Sequence, residues 1–316
     1  MPNRILLLGA GFTRNWGGWL AAEAFEYLLG CNEINSSVRD LLLRYKEKGF
    51  EAALDALQAE RQHETDGRLQ NLELGLQTMF NAMNSAFPQV SFNFDKALEY
   101  TVSKFLTRFD AIFTLNQDCL LETHYLNDNI AILSNGRWQG WTIPGMKFLS
   151  GDESTSLADS TLTPTSQPPG IPDRLQPYIK LHGSSNWRSG GRLMVMGGNK
   201  SAAIRRESVL AWGMNAFNMF LEHPDTRLMV IGYSFRDSHI NECLMKAARS
   251  SDLKLFIVDP QGMDVMNHST QGGAIPADSD LAKTLWPYVR GCSRRPLSST
   301  FGTDRAEHGN LMRFFG

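Results

Sequence analysis

The chain has no cysteine pair at metal-binding spacing. Its four cysteines, Cys31, Cys119, Cys243 and Cys292, lie far apart, and no CxxC occurs. That excludes a cysteine-built zinc module and a disulfide-dense scaffold, and it suits a reducing compartment such as the cytoplasm. Long hydrophobic runs are also missing. No uninterrupted apolar stretch approaches the roughly 18 residues of a membrane-crossing helix, so no membrane association is expected. The N-terminal apolar run, residues 5–8, stops at Gly9-Ala10-Gly11. A secretory signal needs about seven or more such residues, so the run reads as a buried strand. Basic charge is not in excess: 31 Lys and Arg face 33 Asp and Glu, for a net charge of −2. Proteins that hold nucleic acid by its phosphates carry a basic surplus, so direct nucleic-acid binding is not expected.

What is present is an ordinary globular composition. Of 316 residues, 42% are hydrophobic and 20% charged, enough to bury a substantial core in one large domain. Short apolar runs recur at 4–8, 110–115, 130–133, 178–181, 228–231 and 255–258. Most end in a glycine or a polar cluster, and helical stretches separate them. That alternation predicts an α/β, Rossmann-like parallel sheet flanked by helices. Residues 1–35 and 108–261 would form its core. Residues 36–107 carry helical spacing almost throughout (Val38, Leu41, Leu42 and Tyr45, then Leu72, Leu76, Met79, Phe80 and Met83) and read as a helical insertion, with Asn35 as the cap at its start. Helices are also expected at 18–29, 94–105, 208–221 and 237–249. Residues 150–176, rich in Ser, Thr, Pro and Gly, read as a long loop or lid. Residues 262–316 read as a surface-wrapping tail or an interface segment.

Four polar clusters follow the predicted strands. In doubly wound sheets, ligands bind at these carboxyl ends near a switch in strand order. Gly9-Ala10-Gly11-Phe12-Thr13 opens a helix after the first strand. Such glycines let backbone N–H groups approach a diphosphate, although a tight strand-to-helix turn has the same look and the usual third glycine is missing. Thr114-Leu115-Asn116-Gln117-Asp118 follows the second. Asn116 can grip a ribose hydroxyl and orient a water, and Asp118 can accept from a carboxamide N–H; the alternative is an Asx turn. Lys180-Leu181-His182-Gly183-Ser184 ends another strand, where His182 is either a proton-transfer group or a packed structural histidine. Residues 232–241, GYSFRDSHIN, offer Gly232 and Ser234 to a phosphate or ribose. His239, in the same segment, is a second candidate acid or base, read in preference as a packing or capping residue.

Taken together, the clusters resemble the sirtuin (silent-information-regulator-type) family, whose pattern places GAGxS, TQNxD and HG after successive strands. This chain carries GAGFT at 9–13, TLNQD at 114–118 and LHGS at 181–184 in that order. GYSFRDSHIN and the IVDP of 257–260 resemble later segments of sirtuin-like proteins from bacterial antiphage systems. The resemblance implies that NAD is the substrate and that Gly9, Ala10, Gly11, Phe12, Thr13 and Asn15 hold its diphosphate side. It implies further that Asn116 and Asp118 line the nicotinamide-ribose pocket, that His182 is the catalytic base, and that Gly232, Ser234 and Asp259 lie near the adenosine half. No metal is called for.

The departures from the family pattern bear on the reaction. Residues 14–19 replace the GIPDFRS of protein deacetylases, Leu115 stands where sirtuins carry Gln, and the cysteine pairs of their zinc module are absent. These features direct the reading toward hydrolysis of NAD to nicotinamide and ADP-ribose. Protein ADP-ribosylation or deacylation, and non-catalytic sensing of NAD or ADP-ribose, are the alternatives. The same resemblance suggests NAD depletion in antiphage defence, a homo-oligomer and a HerA-type ATPase or another defence protein as partner.

Overall fold

The computed structural model describes residues 3–60, 67–95, 101–149, 156–195, 200–267 and 278–316. Its strands in chain order are β1 (Arg4–Leu8), β2 (Ala111–Thr114), β3 (Gly140–Thr142), β4 (Met146–Phe148), β5 (Leu162–Pro164), β6 (Leu175–Lys180), β7 (Gly183–Ser189), β8 (Arg192–Val195), β9 (Arg227–Ile231), β10 (Lys254–Val258) and β11 (Val289–Ser293).

Seven of them form one sheet in the order β11-β10-β9-β1-β2-β6-β3. Every neighbouring pair is parallel. Ile5, Leu6, Leu7 and Leu8 of β1 are completely buried, as are Leu228 and Met229 of β9. A strand covered on both faces needs apolar residues without alternation, and those sequence runs show that pattern. The chain leaves β1 toward β2 on one side and later returns to β9 on the other, so β1 sits where the order reverses. The carboxyl ends of β1, β2, β6, β9 and β10 therefore share one rim, the place where this architecture binds ligands.

Among the described residues between β1 and β2 lie the helices Ala21–Leu29, Ser36–Arg44, Phe50–Glu60, Arg68–Ala86 and Val102–Leu106. Asn35 caps the second of these, its side chain accepting from Val38 N at 2.9 Å. Of the helix expected at 94–105, residues 96–100 lie outside the described ones. Helices Ser208–Glu222 and Ser238–Ser250 follow the sequence expectation closely. No helix among the described residues is long and apolar enough to cross a membrane.

Three stretches differ from their sequence reading. Ile130–Leu133, expected as a strand, is a 3₁₀ turn. Asn129 ahead of it takes a left-handed backbone, φ 48°, which breaks an extended path, and Ile132 and Leu133 are about half exposed rather than buried on two faces. The expected loop at 150–176 (150–155 lying outside the described residues) carries β5, part of a second sheet ordered β4-β5-β7-β8. Three residues are too few to show a strand period, yet Leu162 and Ser160 are buried there. The segment after 261, read as a tail, supplies β11 at the edge of the main sheet. Its last residues pack inward: Phe315 meets Phe109 at 5.2 Å between ring centres, and Arg4 and Arg227 donate to the Phe315 and Phe314 carbonyls.

The two sheets meet at Leu181 and His182, between β6 and β7. Gly183 makes this joint possible. Its φ is +74° and a Cβ there would lie 2.0 Å from Met194 O, so only glycine fits.

Candidate functional site

At the rim, the turn after β1 and the turn after β9 interlock backbone to backbone. Gly9 N donates to Ile231 O at 3.0 Å and Gly11 N to Gly232 O at 2.9 Å. Gly232 has φ +63°, and a Cβ on it would come within 2.3 Å of Gly11 C and Phe12 N. These glycines serve close approach of the two turns. Gly9, Ala10 and Gly11 face a cavity of about 1350 Å³. Phe12 instead points into the core against Trp16, ring centres 4.9 Å apart, and Thr13 is buried.

Asn116, just past β2, reaches across to this turn. Its Nδ2 donates to Gly9 O at 3.0 Å and to Thr13 Oγ1 at 2.8 Å. The Gly9 carbonyl can only accept, so the amide nitrogen must be the end that faces it. The Asp118 carboxyl group, in the same cluster, accepts from Leu120 N at 3.1 Å. Burial pushes the Asp118 carboxyl above its usual range, with Lys180 pulling the other way. Below them, Lys180 Nζ donates to Asp118 O at 2.6 Å and to Glu122 Oε1 at 2.7 Å, and neither side chain of the ion pair is exposed. Tyr178 completes the cluster with a 3.2 Å bond to Glu122 Oε2.

His182 enters from the joint between the sheets. Its Nε2 is 3.0 Å from Nε2 of His239, on the first turn of helix Ser238–Ser250. Burial, with the Lys200 ammonium next, holds His182 well below the ordinary imidazole range; burial also lowers His239. Both rings are therefore neutral near pH 7, one donating and one accepting. Asp237, two residues ahead of His239, pairs with Lys200 at 2.5 Å, and Lys200 reaches Glu51 at 3.2 Å. Burial acts to raise the Asp237 carboxyl, but the Lys200 ammonium bonded to it brings it below its usual value.

The same cavity is lined by Asn15, Asn116, Asp118, His182, Gly232, Ser234 and Asp259, ten of the twelve sequence candidates once Gly9, Ala10 and Gly11 are included. Phe12 and Thr13 stand behind its wall. The Asn15 side chain donates to the Gly11 and Phe12 carbonyls and accepts from Leu297 N at 2.8 Å. It ties the C-terminal segment to the glycine turn. Asp259 accepts from Gln261 N at 2.9 Å in the turn after β10. His239, which the sequence offered as a second acid or base or as a packing or capping residue, lines the cavity beside His182. Glu51, Lys200 and Arg295 also line it and carried no signal in the sequence. Glu51 lies in an ordinary amphipathic helix, and only long-range packing brings it to the rim.

The arrangement offers a neutral imidazole, a fixed carboxamide and a glycine-built turn on one cavity, larger than the roughly 300–1000 Å³ typical of small-molecule sites. No curated protein shows a significant sequence match to this chain. The model of the SIR2-like domain matches residues 110–272, just over half of the chain. That span holds Asn116, Asp118, His182, Gly232, His239 and Asp259 at the rim described above. The chain thus belongs to the SIR2-like, or sirtuin-like, family, whose members are enzymes that use NAD as a substrate.

Proposed function

We propose that this protein hydrolyses the N-glycosidic bond of NAD, releasing nicotinamide and ADP-ribose. The observation that carries the reading is the convergence of the Asn116 carboxamide and the neutral His182 ring on one cavity beside the interlocked glycine turns. The bond from ribose C1′ to the pyridinium nitrogen breaks, and its electron pair stays on nicotinamide, which leaves neutral. C1′ gains oxocarbenium character and takes the oxygen of a water. Asn116 holds the ribose and that water, its plane set by Gly9 and Thr13. His182 accepts the proton that the water gives up, from its sheltered position, and fixed dipoles around C1′ favour the charge that develops there.

Sensing alone needs no base, and burying an imidazole pair is a feature that binding does not call for. Modification of a protein would use the same cavity with a different acceptor. The discriminating experiment is product analysis with the purified chain and NAD. Hydrolysis yields free ADP-ribose equal to the nicotinamide released. ADP-ribose found on protein instead, or consumed by an acyl-lysine peptide, overturns the reading. The proposal extends to NAD depletion as an antiphage response by an oligomeric assembly. Cellular NAD falling on phage infection in cells with the intact gene, and not with Asn116→Ala, supports that role; equal NAD in both contradicts it.

A further inference from the structure

Three side chains from two distant stretches of the chain converge at one end of the cavity. His182 comes from the joint after β6, and Asp237 and His239 from the start of helix Ser238–Ser250. One ligand atom from each lies within 4.8 Å of the other two. The two Nε2 atoms are 3.0 Å apart. A zinc ion bound at about 2.0–2.1 Å to two imidazole nitrogens in tetrahedral geometry separates them by roughly 3.3–3.4 Å. The rings would part by only a few tenths of an ångström to admit one. Two imidazoles and one carboxylate on a cavity wall are also the donor set of open zinc and iron(II) sites, with the remaining position left to water.

We propose that His182, His239 and Asp237 form a binding site for one divalent transition ion of the zinc class, and that filling it silences the cavity. Lys200 takes Oδ1 of Asp237 at 2.5 Å; Oδ2 is the carboxylate ligand in this assignment. The ion occupies the Nε2 lone pair of His182, so that nitrogen no longer accepts a proton. Lys200 opposes the ion, since its ammonium shares the same carboxylate and the like charges repel at short range. The site is thus tuned to moderate affinity, filling and emptying as free metal changes. The silencing half rests on the hydrolase reading above; the binding half does not.

The test uses the full chain, stripped of metal by a chelator, and titrated with Zn²⁺ and separately with Co²⁺. One Zn²⁺ per chain is expected, weakened at least about tenfold in His239→Ala and in Asp237→Asn and tightened in Lys200→Met, which removes the competing cation. The wild-type Co²⁺ complex should show the visible absorption of a four- or five-coordinate nitrogen and oxygen site, a readout that survives if a variant fails to fold. Binding of equal strength in folded His239→Ala, no binding by the wild type at micromolar metal, or a thiolate-to-cobalt band from Cys243 overturns the site. Zn²⁺ bound as expected while nicotinamide release continues unchanged overturns the silencing half.

Discussion

Asn116 and Thr13 are 103 positions apart, yet the Asn116 amide donates to the Thr13 hydroxyl at 2.8 Å. That bond joins the cluster after β2 to the cluster after β1. Thr13 is buried, so its hydroxyl holds the Asn116 carboxamide in a fixed plane on the cavity wall. Thr13→Val keeps the volume and removes that bond. Nicotinamide release should fall by about 10²-fold, as a loosened catalytic group commonly costs, with kcat affected more than KM. Thr13→Ser should recover most of the rate. Equal rates in all three would show that Asn116 needs no such alignment.

The buried pair Lys180–Glu122 supports this wall from below. Removing one partner leaves the other charge in the core, a loss of about 3–5 kcal/mol. Lys180→Met should therefore lower the thermal midpoint sharply. Lys180→Met combined with Glu122→Gln should recover part of it. Thermal denaturation of both, with the wild type, decides this. A single variant as stable as the wild type would mean that Glu122 finds another partner or takes up a proton.

Gly232 should tolerate no side chain. A Cβ there meets the Gly11 and Phe12 backbone at 2.3 Å in a left-handed conformation, so Gly232→Ala separates the two turns and should lower both stability and NAD affinity. Gly17→Ala is the control. Its φ is +85° with nothing within 4 Å, leaving only backbone strain of about 1 kcal/mol. Comparable effects from the two would show that the turns do not interlock as described.

Thiol chemistry reports on the interior. Burial, more than the nearby Glu122 carboxylate, pushes Cys119 up to about 12, and burial pushes Cys243 up to about 11. At pH 8 the reactive thiolate of Cys119 is then on the order of 10⁻⁴ of the total. A thiol-specific reagent should leave Cys119 unlabelled in the folded chain and label all four cysteines in denaturant, which peptide mapping can follow. Rapid native labelling of Cys119 would contradict its placement.

The main sheet was legible in the sequence because its central strands are buried on both faces, so β1, β9 and β10 stand out as continuous apolar runs. β11 was not. Val289-Arg290-Gly291-Cys292-Ser293 lies at the sheet edge, half exposed, and shows no run. β5 is too short to show a period. The cavity wall was largely legible because its residues follow strands directly. His239 stayed open between an acid-base and a capping role because a histidine on the first turn of a helix suits either, and only the fold sets it 3.0 Å from His182. Glu51 and Lys200 come together across 149 positions through packing that local patterns do not record.

Nicotinamide release from NAD by the purified full chain, measured beside Asn116→Ala and His182→Ala, tests the central claim most directly. Release by the wild type is expected, with a loss of about 10²–10⁴ in each folded variant. Full turnover in either variant, or tight NAD binding by the wild type with no release, would contradict it.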